Sequence, residues 1–114
     1  MIFLLLFPII ANAADFPVRK FHIGSHQYVV EERKPNVWVS QGCEKKCKAL
    51  VATEKKYSPP SNDQEGAVTS NPGAWICKNG AKGKVFIAVD EERNQLSFCK
   101  FDDGSYVNNG AFRY

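Results

Sequence analysis

The spacing of apolar residues changes character several times along the chain, and each change marks a structural boundary. Residues Val18 to Glu32 alternate on either side of Gly24 and Ser25, which reads as a β-hairpin with those two residues at the centre of its turn. In that register Ile23 faces His26, Phe21 faces Tyr28 and Arg19 faces Val30, and these residues share the face expected to turn to the core. Lys20, His22, Gln27 and Val29 occupy the other face. A turn at Lys34, Pro35 and Asn36 leads into a short strand from Val37 to Val39, with Trp38 pointing opposite to its two neighbours. Near Gly42 the period lengthens to about four, so that Cys43, Cys47, Leu50, Val51, Glu54 and Tyr57 fall along one stripe. This predicts an amphipathic helix that turns both cysteines inward and leaves Lys45, Lys46, Lys48, Lys55 and Lys56 mostly off the stripe.

No apolar period runs through residues 58–70, where consecutive prolines and small polar residues predict a loop. Asn71 before Pro72 is a helix-start signal: the Asn side chain can accept a bond from a free amide, and Pro at the first helical position loses nothing. Gly80 and Gly83 stop that helix. Lys84 to Val89 then alternates with Val85, Ile87 and Val89 on one face, Asp90 to Asn94 forms a polar tip, and Gln95 to Phe101 returns. Asp102, Asp103 and Gly104 make another turn before a tail containing Tyr106, Phe112 and Tyr114. Together these segments predict an α+β fold, an antiparallel sheet built from an N-terminal and a C-terminal hairpin and covered by two helices. Each half lies near the roughly 40-residue limit below which chains seldom fold unaided, so a single domain over residues 14–114 is expected.

Residues 1–13 form an apolar run ending in Ala11, Asn12 and Ala13, which reads as a secretory signal cleaved after Ala13. The run is short for a membrane span and Pro8 interrupts it, and no cysteine follows the cleavage site to carry a lipid. Export changes the meaning of Cys43, Cys47, Cys77 and Cys99. In an oxidising compartment they predict two disulfides in a periplasmic or secreted protein. A Cys77 to Cys99 bond would close a loop of about 20 residues and contribute roughly 3 kcal/mol, leaving Cys43 to pair with Cys47. That second pair sits well only if Cys43 lies in the turn before the helix; crossed pairings between the halves avoid the difficulty and remain open.

Asn71, Pro72, Ala74 and Cys77, the turn from Gly80 to Gly83, then Cys99, Phe101, Asp103, Gly104 and Ser105, and finally Ala111 and Phe112 follow an order that resembles a known bacterial domain. It is family 333 of the unknown-function series, often labelled hemolysin. The resemblance covers residues 71–114 and implies a small exported or lipid-anchored protein of Gram-negative bacteria, built from a short helix and a hairpin. Members usually carry a further cysteine and a tryptophan after the Asp-Gly-Ser turn, where this chain has Val107 and Gly110. Residues 14–57 resemble no family.

The chemistry legible in the chain is sparse. His22 and His26 fall on opposite faces of the hairpin, and the cysteines lack the close ligand pairs of a zinc site, so no metal or other cofactor is expected. Asp90, Glu91 and Glu92 occupy a hairpin tip without the alternating ligands of a calcium loop. Asp102 and Asp103 precede Gly104 as turn residues, and no nucleophile, base and orienting acid stand in catalytic context. The net charge of +3 is spread among acids, which argues against nucleic acid as a partner. The expectation is a monomeric, non-enzymatic exported protein that binds another protein or an envelope component. A protease inhibitor using residues 57–70 or the tip at Asp90 to Asn94 is one form of it. The alternatives are a cationic factor touching anionic membrane through the lysine-bearing helix, and a small hydrolase using Asp102 or Asp103.

Overall fold

The computed structural model describes residues 16–44, 46–58 and 72–114. The expected signal segment, the loop from residue 59 onward and Asn71 lie outside the described residues. The elements run β1 (Val18–Ile23), β2 (His26–Lys34), β3 (Val37–Ser40), α1 (Lys48–Thr53), α2 (Pro72–Asn79), β4 (Lys84–Val89), β5 (Gln95–Lys100), β6 (Tyr106–Asn108) and a 3-10 turn at Asn109–Ala111.

The strands form a closed antiparallel barrel in the order β1, β2, β3, β6, β5, β4. Two meanders, β1 to β3 and β4 to β6, supply the long ladders, and two short seams join them. At the first seam only Val39 and Val107 pair, and side chains complete the stitching. Asn108 accepts from the Trp38 N–H at 2.8 Å and donates to the Asn36 carbonyl, while Ser40 Oγ accepts from the Tyr106 N–H. At the second seam His22 pairs with Val89, and Arg19 reaches Asp90 at 3.2 Å with its guanidinium lying 4.7 Å from the Phe21 ring centre.

Inside the barrel, the face carrying Arg19, Phe21, Tyr28 and Val30 meets Phe86, Ala88 and Phe98. Phe21 meets Phe98 edge-on at 5.2 Å, and Phe86 stacks on Phe98 at 5.3 Å. A second cluster lies outside the barrel, where Val39, Val107 and Cys99 turn outward beneath Leu50, Ile76, Cys77 and Phe112. The helices therefore cover one flank, α1 over β3 and β6 and α2 over β5 and part of β4.

This corrects the expected α+β architecture. The hairpins do not lie side by side in an open sheet under two helices; they close on each other, because their large inward side chains fill a common interior and the sheet edges meet at two short seams. The helices are also short. Gly42 at φ 86° and the Cys43–Cys47 bond hold that segment in turns, so the helix expected from Cys43 onward begins at Lys48. It ends at Thr53, and the Tyr57 N–H is drawn off to the Arg113 carbonyl.

Candidate functional site

The disulfides join Cys43 to Cys47 and Cys77 to Cys99. The second ties α2 to β5 with both cysteines fully buried. Pro72 opens α2, the Gly80 N–H bonds back to the Ile76 carbonyl, and the Gly83 N–H bonds to the Cys77 carbonyl to turn the chain into β4. Gly83 runs directly under the disulfide, so any side chain there would meet Cys99 Sγ and the Lys100 carbonyl. The Cys43–Cys47 loop is pinned from outside, since the Arg33 guanidinium donates to the Cys43 carbonyl.

Asp103 and Gly104 do more than reverse the chain. Cys47, at the N-cap of α1, makes no side-chain cap bond. Instead Asp103 Oδ2 accepts from the Lys48 N–H at 2.8 Å and Ser105 Oγ from the Ala49 N–H at 3.0 Å. The β5–β6 turn thus caps a helix remote in sequence, and Gly104 at φ 89° lets the turn close. Burial, which opposes ionisation of Asp103, is outweighed by bonds from the Lys48 N–H, the Ser105 hydroxyl and the Ser105 N–H and by the Lys48 charge, so its pKa lies below the usual value. Asp102 is solvated, its side chain 81 % exposed, and pairs with Lys48. One carboxylate is therefore occupied in capping and its neighbour is in water.

The tip at Asp90 to Asn94 is held closed from within. The Asp90 carboxylate accepts from the N–H groups of Glu92 and Asn94, and Arg93 takes a positive φ of 69°. Its pKa is lowered, chiefly by the Asn94 N–H, against a desolvation that opposes this. This tip is one of the two segments expected to enter a protease cleft, and it is a tight turn closed by the Arg93 N–H on the Asp90 carbonyl. The other inhibitor segment, residues 57–70, lies almost wholly outside the described residues. His26 packs on Tyr28 with ring centres 4.5 Å apart, while His22 sits on the outer face beside Val89. Tyr106 donates its hydroxyl to the Val29 carbonyl, and burial pushes its pKa up despite that bond. Among the described residues no three His, Cys, Asp or Glu side chains stand close enough to hold a metal ion.

Of the lysines placed beside the expected helix, Lys48 begins α1 and Lys55 and Lys56 follow it, so they do not form one long basic helical face. The surface feature that stands out is on β4. Its inward residues are Phe86 and Ala88, yet its outward residues Val85, Ile87 and Val89 are all apolar as well. On β3 the outward set, Val37 and Val39, is buried under the flank; on β4, Val85 is 40 % and Ile87 53 % exposed. β4 also carries an open edge. The His22–Val89 pair sets Ile23 level with Ala88, and the chain then turns at Gly24, so Lys84 to Ile87 have no strand partner on the β1 side. Ile23, which the register directs inward, is 43 % exposed beside this opening.

No family model, curated protein or solved structure matches this chain. The alternation of Val85, Ile87 and Val89 was visible in the sequence; their exposure was not, because Phe86 and Ala88 make the opposite face equally apolar.

Proposed function

We propose that this chain is a non-enzymatic, exported binding module, periplasmic or secreted, that attaches to a protein partner through the outer face of β4. The observation that carries this reading is the pair Val85 and Ile87, apolar and about half exposed on a barrel whose other all-apolar outer strand face, on β3, is covered. Exposed apolar residues grouped on one rigid element are a feature of interaction surfaces. The two disulfides support an exported setting. Membership of the hemolysin-labelled family belongs to the same proposal, resting on the order of residues from Asn71 to Phe112, and it adds a scaffold without an activity.

The test is affinity capture from envelope extract with immobilised mature protein, beside the variant Ile87→Glu. A partner retained by the native chain and lost by a variant with native circular dichroism supports the reading. Equal retention by both, or leakage of anionic vesicles that is indifferent to the substitution, refutes it.

A further inference from the structure

We infer that the open edge of β4 takes an extended segment of the partner as an added strand, and that this segment carries an acidic residue beside Lys84. The inference rests on the proposed function and gives the partner its chemistry.

Three observations converge on it. Lys84 to Ile87 present main-chain donors and acceptors on a side where no strand pairs, because β1 ends before reaching them. Natural sheets rarely leave such an edge both open and apolar, since it invites another strand. Apolar side chains then stand on both sides of that edge. Val85 and Ile87 are exposed outside it, and Ile23 and the half-buried Phe86 line the opening toward the interior. A strand laid against β4 would cover both sets at once, which a globular surface resting on the outer face would not.

Charge selects the occupant. Lys84 and Lys100 face each other across the β4–β5 ladder, with Lys82 just before them, and none of the three is in an ion pair among the described residues. Directly opposed like charges in a ladder are unfavourable, and a carboxylate placed beside them relieves that repulsion. The acids Asp90, Glu91 and Glu92 lie past the far end of β4, and of the two acids in the turn after Lys100, Asp102 pairs with Lys48 and Asp103 caps α1. A second copy of the chain pairing through the same edge would bring its own Lys84 and Lys82 to the interface, which disfavours self-association there.

The probe is a blocked peptide of alternating valine and threonine with a glutamate at each end, titrated into the isotopically labelled protein and followed by amide shifts and hydrogen exchange. The expected result is saturable shifts at Val85 to Ile87 with slowed exchange of β4 amides. Binding should weaken about tenfold or more when lysines replace the peptide's glutamates, when alternate peptide nitrogens are methylated, and in Lys84→Glu. Lys84→Arg should bind like the native chain. Methylated and unmethylated peptides of equal affinity, shifts centred elsewhere, or dimerisation of the protein through β4 would overturn the inference. If the peptide fails while capture still depends on Ile87, the strand model falls and the proposed function stands. If both fail, neither stands.

Discussion

Replacing Asp103 by alanine tests whether the β5–β6 turn holds α1 in place. Asp103 supplies the bond to the Lys48 N–H that Cys47 leaves unmade, and its other oxygen accepts from the Ser105 hydroxyl at 2.6 Å and the Ser105 N–H at 3.0 Å. Loss of a helix cap costs about 0.5–2 kcal/mol, and a negative charge at a helix start adds about 0.3–1 kcal/mol at exposed sites. The upper ends do not add, because Asp103 is solvent-exposed; a loss of about 1–2 kcal/mol is expected. The assay is urea unfolding with both disulfides intact, repeated from pH 7 to pH 2. The folded Asp103 pKa lies below its unfolded value, so its contribution is fully present above the unfolded pKa. It is lost as pH falls through the folded one. The native chain and Asp103→Ala should therefore converge at the acid end. A difference that stays constant with pH, or falls below about 0.3 kcal/mol at pH 7, would refute the capping argument.

Three further outcomes follow from the same geometry. Gly83→Ala should destabilise by about 1–3 kcal/mol in urea unfolding, because the added methyl would meet both disulfide sulfurs, Cys99 Sγ and Cys77 Sγ, and the Lys100 carbonyl. Replacing Cys77 and Cys99 by serine should cost about 3 kcal/mol and replacing Cys43 and Cys47 about 2 kcal/mol, the difference reflecting loop length, as read by thermal scans of each double variant. Arg19→Met should leave the interior packed but raise hydrogen exchange at Val89 and Asp90, since the ion pair at the β1–β4 seam goes with it.

What was legible in the sequence was local. The register of β1 on β2 follows from Gly24, Ser25 and strict alternation, so Phe21 opposite Tyr28 needed no tertiary information. Closure of the barrel did need it. The seams consist of a single pair each, reinforced by Asn108, Ser40 and Arg19, and no period in the sequence marks an asparagine that will bond across 70 residues to Trp38. The start of α1 was hidden for a related reason, because the carboxylate that caps it sits 55 residues later, in a turn that explains itself as a turn. The face of β4 was undecidable, since a strand with two apolar faces has no polar side to mark solvent.

The two sides of the barrel should answer differently to substitution, and that difference separates scaffold from surface. On the covered flank, Val107 is fully buried among outward residues of β3 and β5 and the helices, so Val107→Ala removes two carbons and leaves a gap worth about 1.5–3 kcal/mol. On β4, Ile87→Thr keeps the branched shape that suits a strand and exposes a hydroxyl where about half the side chain already meets water, so stability should move by less than about 0.5 kcal/mol. Urea midpoints of the two variants give the comparison. A large loss for Ile87→Thr would mean that Ile87 is packed in the free protein and that the β4 face is part of the core. A small loss, with partner capture weakened, places the apolar surface of β4 outside the requirements of folding and leaves binding as the reason for it.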